Sequence, residues 1–310
     1  MDAKPTFSRA SAASSSVAGA CIVRDARDII PLLCGHYLRV GLAHVAFIDD
    51  GSTDGTFEFL RSLSKQTTRI SVRRVFCDRF EQRKIMNETV NSLIQAGYQI
   101  VLPFDADEFW DIDAKNLAQR YEPEPERIFF GRWVNFVQGT NLKCPRPFGL
   151  FHIRYHAIAM DDATQETVTA FRRPFVCHSD TKVAFKTSKT LQLQLGQHSL
   201  DPKVETNKHA FEIFHIPLRY RSEIEKRGLN YEPRRAFIRT DPGQSWQSAF
   251  HRDVVTRKRV DEVWKANSAC RAGYIVAYGE RFPLVPDIRL RRLLLKASLY
   301  LAWSFRMIAV

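Results

Sequence analysis

Two acidic clusters in this sequence could do chemistry: Asp49-Asp-Gly-Ser-Thr-Asp-Gly55 and Asp105-Ala-Asp-Glu-Phe109. Carboxylates so grouped can accept hydrogen bonds from ribose hydroxyls or a base N–H. They can also hold a hard divalent cation, which takes one or two carboxylates and fills its shell with water and phosphate oxygens. Residues two apart on extended backbone point the same way, so Asp105 and Asp107 can reach one nucleotide–metal unit. Either cluster alone has a plainer reading. Asp-x-Asp is often a solvated turn, and Asp49–Gly55 reads equally well as an Asx-rich turn capping a helix at Thr56. The pair says more, because each cluster ends an apolar run.

The elements that must position these clusters follow from periodicity. Ala20–Val23, His44–Ile48, Ile70–Phe76 and Tyr98–Phe104 read as strands, and Asp28–Val40, Thr56–Leu63 and Gln82–Ala96 as helices, with Gly41 and Gly97 as stops. Strands alternating with helices argue for βαβ units and a parallel sheet, whose ligands sit at the carboxyl ends of the strands. Both acidic clusters lie at such ends. After about residue 125 the pattern changes. Arg127–Val137, Gly149–Tyr155, Glu166–Phe175 and Val183–Leu195 are aromatic and branched, and predict strands of a mixed or antiparallel part. From Tyr220 the chain reads as helical, over 222–227, 231–238, 246–266 and 288–308.

Composition narrows the class. The 310 residues are 45% apolar and 26% charged, an ordinary globular balance. Six cysteines lie far apart without any C-x-x-C pair. That argues against a zinc ribbon, a redox motif or a disulfide scaffold, and points to a reducing compartment. The Ala/Ser-rich start reads as a flexible lead-in rather than a signal peptide. Net charge is +12, and from Pro217 to Val310 there are 19 Lys and Arg against 9 Asp and Glu. A solvated basic face, a nucleic acid, an anionic membrane or a phosphorylated substrate all fit such an excess.

The order of these motifs resembles the GT-A glycosyltransferases of the family 2 type, in particular a bacterial subgroup with a D-x-D-E-F motif. The likeness is carried by Cys21–Asp28, Gly35–Thr56 and Phe104–Phe109. Trp133–Phe136, Lys186–Ser188, Gly196–His198, Phe214–Arg219 and Ser222–Gly228 follow in the same order. One departure stands out: the Asn-Glu usual after the first strand is Asp25-Ala26 here. The resemblance implies an α/β fold, a GT-A (Rossmann-like) mostly parallel sheet flanked by helices, with a mixed acceptor part and a C-terminal helical extension. It implies four segments: a lead-in (1–19), a nucleotide-sugar-binding half (20–125), an acceptor or catalytic half (126–218) and a basic helical extension (219–310).

It further implies a nucleotide-diphosphate-sugar donor, with Asp50 or Asp49 near the nucleoside, Asp25 beside them, and Asp105 and Asp107 at the diphosphate and a divalent metal, Mn²⁺ or Mg²⁺. His215 is the first candidate to complete the metal shell and His198 the second. Arg83 and Lys84 are candidates to approach the diphosphate, against the plainer reading of a solvated helix face. An inverting transferase needs a carboxylate base for the acceptor hydroxyl, and Asp161, Asp162 and Glu166 are the candidates. The acceptor class is a saccharide or a lipid-linked saccharide, and no nucleic acid partner is expected. The expected location is the cytoplasm, including the inner face of the plasma membrane.

Two other readings compete. A nucleotidyltransferase also uses carboxylates and Mg²⁺ at strand ends but normally has a Gly-rich loop after its first strand, and Val23–Arg27 has no glycine. A non-catalytic carbohydrate- or nucleic-acid-binding protein would use the basic third and need no Asp107. The final segment, Ile288–Val310, mixes Arg and Lys with Leu, Trp and Phe. Lys296 and Arg306 leave no uncharged run long enough to span a bilayer, which needs about 20 residues. It reads either as a helix lying on an anionic membrane surface or as a helix packed on the domain.

Overall fold

The computed structural model describes residues 17–75, 82–121, 126–141, 148–194, 200, 210–229 and 246–306. The chain opens with β1 (Val17–Val23), α1 (Ile30–Arg39), β2 (His44–Asp50), α2 (Thr56–Ser64), β3 (Ile70–Val75), α3 (Gln82–Gln95) and β4 (Ile100–Pro103). β1 pairs in parallel with β2 and β4, and β2 with β3. These alternating strands and helices are those expected from the sequence, although β1 starts at Val17. The parity of β1 shows how its two faces are used. Val17, Cys21 and Val23 join a core with α1, while Ala18 and Ala20 pack against Met86, Val90 and Leu93 of α3.

The second half completes a mixed sheet. β5 (Glu108–Trp110), α4 (Ala114–Arg120), β6 (Arg127–Val137), β7 (Tyr155–Ala157), α5 (Gln165–Thr169), β8 (Thr181–Lys186) and β9 (Phe211–His215) come first. They are followed by α6 (Arg221–Leu229), α7 (Trp246–Thr256), α8 (Val260–Ala266), β10 (Tyr274–Ala277), β11 (Glu280–Pro286) and α9 (Arg289–Phe305). The sheet runs β10-β11-β7-β6-β8-β4-β1-β2-β3, with β9 on β6 and β5 on β9. β8 is antiparallel to β4, and β6 to β8. The long β6 changes partner along its length, pairing with β8, then β9, then β7.

Several expected elements differ. Gly149–Tyr155 is not a strand: it holds a 3₁₀ turn at Phe148–His152, and β7 begins only at Tyr155. Glu166–Phe175 is helix α5 and a short 3₁₀ turn. Thr164 and Thr167 cap that helix reciprocally, a local gain that outweighs the strand preference of its threonines. The expected helix 246–266 is broken where Lys258 takes a left-handed φ of 55°. The helical C-terminal third contains a β-hairpin that extends the sheet, turning at Tyr278 (φ 53°) and Gly279 (φ 84°). The expected helix 231–238 lies outside the described residues.

Helix α1 is buried over nearly its whole length, Ile30 to Leu38, because α9 covers the side that the sheet does not. Contact is backbone to backbone at Gly35, where a Cβ would sit 2.3 Å from the Ala297 carbonyl oxygen. Of the readings of the final segment, packing on the domain is what the inner face of α9 does: Leu290, Leu293, Leu294, Ala297 and Leu301 are buried. Among the described residues no helix is long and apolar enough to cross a membrane.

Candidate active site

The first acidic loop is laced to the segment after β1. Asp25 (φ 47°) accepts from the Thr53 N–H at 2.8 Å and gives its own N–H to Ser52 Oγ at 2.9 Å. The Ala26 and Arg27 amides donate to Thr56 Oγ1 and Asp54 Oδ2. Asp49 is fully buried, accepting from the Ser52 N–H at 3.1 Å and from Arg74 Nε at 3.0 Å. It therefore builds the loop rather than facing a ligand. Asp50, at the carboxyl end of β2, has Arg24 Nη1 3.8 Å away and a side chain that is 10% exposed. Of the carboxylates expected at the nucleoside, Asp50 is the one that ends β2, at the edge where ligands of such sheets bind.

The second cluster is held by register. β5 pairs with β9 so that Glu108 lies opposite His215. Glu108 is wholly buried, and accepts from Trp133 Nε1 at 2.9 Å and from the Asp105 N–H at 3.0 Å. Lys182, equally buried, reaches Asp105 Oδ2 at 2.6 Å and Glu108 Oε1 at 3.3 Å. Burial would neutralise the Lys182 ammonium, but the two carboxylates more than compensate and raise its pKa. Burial pushes Glu108 up to about 7, opposed by Lys182. Lys182 is a site-building group that the sequence does not single out. The signal available was Glu108 itself, in the same motif, since a buried acid requires a buried partner.

Asp107 faces two guanidinium groups and an imidazole. Arg227 Nη2 lies 3.1 Å away, Arg219 Nη1 3.9 Å and His215 Nε2 3.7 Å. Burial pushes the Asp107 carboxyl up, yet His215, Arg227, Arg219 and Lys182 together bring it below its ordinary value. Arg219 also binds Asp28 at 2.9 Å and the Glu223 carboxylate. One buried guanidinium thus ties the segment before α1 to the start of α6 and to the acidic motif. Neither arginine was singled out in the sequence, where the charge excess of this region has no direction.

The protonation of His215 follows from its neighbours. Asn135 Nδ2 donates to the Val176 and His178 carbonyls at 2.9 and 2.6 Å, which turns its Oδ1 toward His215 Nδ1 at 2.7 Å. Nδ1 therefore carries the proton and Nε2 the lone pair. Burial drives the imidazole pKa down to about 4, so the ring is neutral near pH 7. Trp133 stacks on it with centroids 4.1 Å apart. Nε2 and Asp107 Oδ1 are then two acceptors facing each other with no proton between them. Ligand atoms on one octahedral ion with bonds of about 2.1 Å stand about 3 Å apart, so a small inward shift would suit a divalent metal. Among the described residues no three His, Cys, Asp or Glu side chains close into a cage. A metal held here would draw the rest of its shell from phosphate and water.

The remaining candidates lie elsewhere. Asp162 pairs with Arg173, which also binds Glu280, and Asp161 and Glu166 are exposed. No hydrogen bond or ion pair among the described residues joins these three acids to the acidic motif. Arg83 donates to the Leu193 carbonyl at 3.0 Å, anchoring α3 to the segment beyond β8, and Lys84 is exposed. His198 lies outside the described residues. A different carboxylate stands just before β8: Asp180, whose Oδ1 accepts from the Thr181 N–H at 2.8 Å. Asp180 pairs with Trp133 across the sheet through the Trp133 N–H and its own carbonyl (3.1 Å), two residues before Lys182. Residues so placed share one face with Trp133 and Lys182.

Residues 40–178 match Glycosyl transferase family 2. That stretch, a little under half of the chain, is similar to the family over both acidic loops and the strands that carry them. Among solved structures it is similar to TarS of S. aureus (12% identity, TM-score 0.34), covering 69% of this chain and 39% of that one. It is similar also to TarS 1–349 in complex with UDP (12% identity, TM-score 0.35; 80% of this chain, 69% of that one). A third is the mannosyltransferase PcManGT from Pyrobaculum calidifontis in complex with GDP-Man and Mn²⁺ (15% identity, TM-score 0.35; 86% and 78%). This chain spans well under half the length of the longer TarS structure. No curated protein matches.

Proposed function

We propose that the domain transfers a sugar, with inversion, from a nucleotide-diphosphate-sugar to a hydroxyl of a saccharide or lipid-linked saccharide, using Mn²⁺ or Mg²⁺. The observation that carries the metal is the facing pair of acceptors, Asp107 Oδ1 and His215 Nε2, 3.7 Å apart beside two guanidinium groups. Asp105, with one oxygen on Lys182 and a half-exposed side chain, lends its other oxygen to the same unit. Such an ion, when bound, offsets negative charge developing on the leaving diphosphate. Arg227 and Arg219 add fixed positive charge on that side. Asp50 and the Asp25–Thr53 turn line the nucleoside end.

The base must face the acceptor from the sheet side of this cleft. Asp180 has the better placement among the carboxylates named, because it shares a face with Trp133 and Lys182. Asp161, Asp162 and Glu166 remain the alternatives drawn from the sequence. Proton removal by such a base typically contributes 10²–10⁴ in rate. The cytoplasm, where scattered free cysteines stay reduced, suits the four described ones, Cys21, Cys34, Cys177 and Cys270, all of them free thiols.

The deciding experiment is thermal unfolding against a panel of UDP-, GDP- and dTDP-sugars with and without Mn²⁺. Saturating ligand at about 100 times Kd stabilises by about 2.7 kcal/mol. The expected result is a rise in Tm with one nucleotide class, larger with Mn²⁺, and abolished in Asp107→Ala. No shift with any donor in either condition would overturn the reading.

A further inference from the structure

Helix α9 is buried along one face and bare along the other. Its outer face presents Arg292, Leu295, Lys296, Leu299, Trp303 and Arg306 at spacings of three and four residues. Trp303 is 92% exposed, Leu299 64% and Leu295 44%. These three are a third of the large apolar side chains that the described chain leaves exposed, gathered on one helix. No Asp or Glu occurs from Ile288 to Val310. The face is thus a short apolar ridge interleaved with positive charge only.

That combination selects among occupants. A second copy of the chain placing this face on itself would bring like charges together at the contact. A nucleic acid would satisfy the cations but gain little from two leucines beside them. An anionic bilayer meets both requirements, since headgroups take the charges while Leu and Trp enter the acyl boundary. We propose that the outer face of α9 docks the enzyme on an anionic lipid surface.

The helix also lies in a useful direction. Near its start, Arg289 binds Glu212 at 2.5 Å and stacks over Phe214, next to His215. Near its end, Tyr300 contacts Arg69, just before β3 and so at the opposite edge of the sheet. A bilayer along α9 therefore runs across the sheet from the β9 side toward β3. The docking face shares no residue with the donor site, so its failure would leave the transferase reading standing.

The test uses the full chain and vesicles of phosphatidylcholine, alone or mixed with phosphatidylglycerol, in a flotation assay at low and high salt. Four proteins are compared: wild type, Arg292→Gln/Lys296→Gln, Leu295→Ser/Leu299→Ser/Trp303→Ser, and Trp303→Phe. All five positions are exposed, so unchanged Tm is the expected control. Wild type should float with the anionic vesicles, weaken with salt, and show a blue shift of tryptophan emission that Trp303→Phe removes. The charge variant should partition about 25-fold less at low salt, about fivefold per basic residue. The serine variant should lose the salt-resistant part. Wild type that ignores anionic vesicles, or variants that bind as wild type does, would overturn the proposal. So would sedimentation as a dimer that the serine variant alone dissociates.

Discussion

Lys182 Nζ lies 2.6 Å from Asp105 Oδ2 with its side chain wholly out of solvent. The same ammonium is 3.3 Å from the equally buried Glu108. One buried cation therefore serves both an inward-facing acid that shapes the motif and an outward-facing acid available to a ligand. Removing one partner of a buried pair typically costs about 3–5 kcal/mol, because the other charge is left uncompensated. Lys182→Met should lower stability by that order in urea unfolding, and Lys182→Met/Glu108→Gln should recover much of it. Neither should restore donor affinity, since Asp105 has lost its anchor in both. Full recovery of donor binding in the double variant would mean that Lys182 acts on the fold alone.

Asn135 should tune the proposed metal site without touching the ion. Its side chain fixes the His215 tautomer through the 2.7 Å bond to Nδ1. Loss of such an outer partner typically lowers metal affinity about 10–100-fold. Asn135→Ala is expected to weaken Mn²⁺ binding by that factor in a titration followed by electron paramagnetic resonance. Asn135→Asp keeps an acceptor for Nδ1 but loses the N–H bonds to the Val176 and His178 carbonyls, and should weaken Mn²⁺ binding less than Asn135→Ala does. Equal weakening in both variants would remove the tautomer argument.

Acid should unfold the protein through two buried histidines, His36 and His251. Burial drives His36 and His251 down to about 3 from the ordinary 6.5. Each has one ring nitrogen bonded to a backbone carbonyl, Trp110 for His36 and Gln247 for His251, and the other buried without a partner. Below pH 6.5 the unfolded chain binds protons that the folded chain refuses, so stability falls as pH falls toward 3. The slope is about 1.4 kcal/mol per pH unit for each histidine. Urea midpoints measured between pH 7 and 4 should steepen accordingly. His36→Gln should remove about one proton's worth of that slope, whatever it does to stability at pH 7.

Gly35→Ala should uncouple α9 from α1. The added methyl would sit 2.3 Å from the Ala297 carbonyl oxygen and 3.0 Å from Leu301 Cγ. Backbone on both sides leaves no flexible group to yield, and overpacking of this kind costs about 1–3 kcal/mol. The measurement is Tm by calorimetry. No loss in Gly35→Ala would mean that the helices are less closely apposed than their backbones imply.

Asp180→Asn should lower kcat by 10²–10⁴ with donor affinity unchanged, the size expected for a lost base. Asp162→Asn and Glu166→Gln should keep wild-type kcat, because Asp162 already pairs with Arg173 on the surface and Glu166 is exposed. Single-turnover transfer with a labelled donor would separate the three. A kcat loss in Asp162→Asn with Asp180→Asn unaffected would return the role to the surface loop.

The sequence by itself determined the parallel half of the sheet and the two acidic loops at its carboxyl edge. Strand and helix periods, glycine stops and turn residues are local signals, and each acts within a few residues. It also picked out Asp105, Asp107 and His215, because carboxylates two apart and a histidine in a matching motif are visible in one dimension. Only the tertiary structure decided what those groups meet. Lys182 reaches Asp105 across 77 positions, Asn135 orients His215 across 80, and Arg219 binds Asp28 across 191. Strand register sets such pairings, and register depends on burial summed over whole faces rather than on any local residue. The same limit explains the C-terminal third. The hairpin at Tyr274–Pro286 exists because β7 offers it an edge. Helix α9 is half core because α1 offers Gly35, and its other face stays bare because nothing in the described chain covers it.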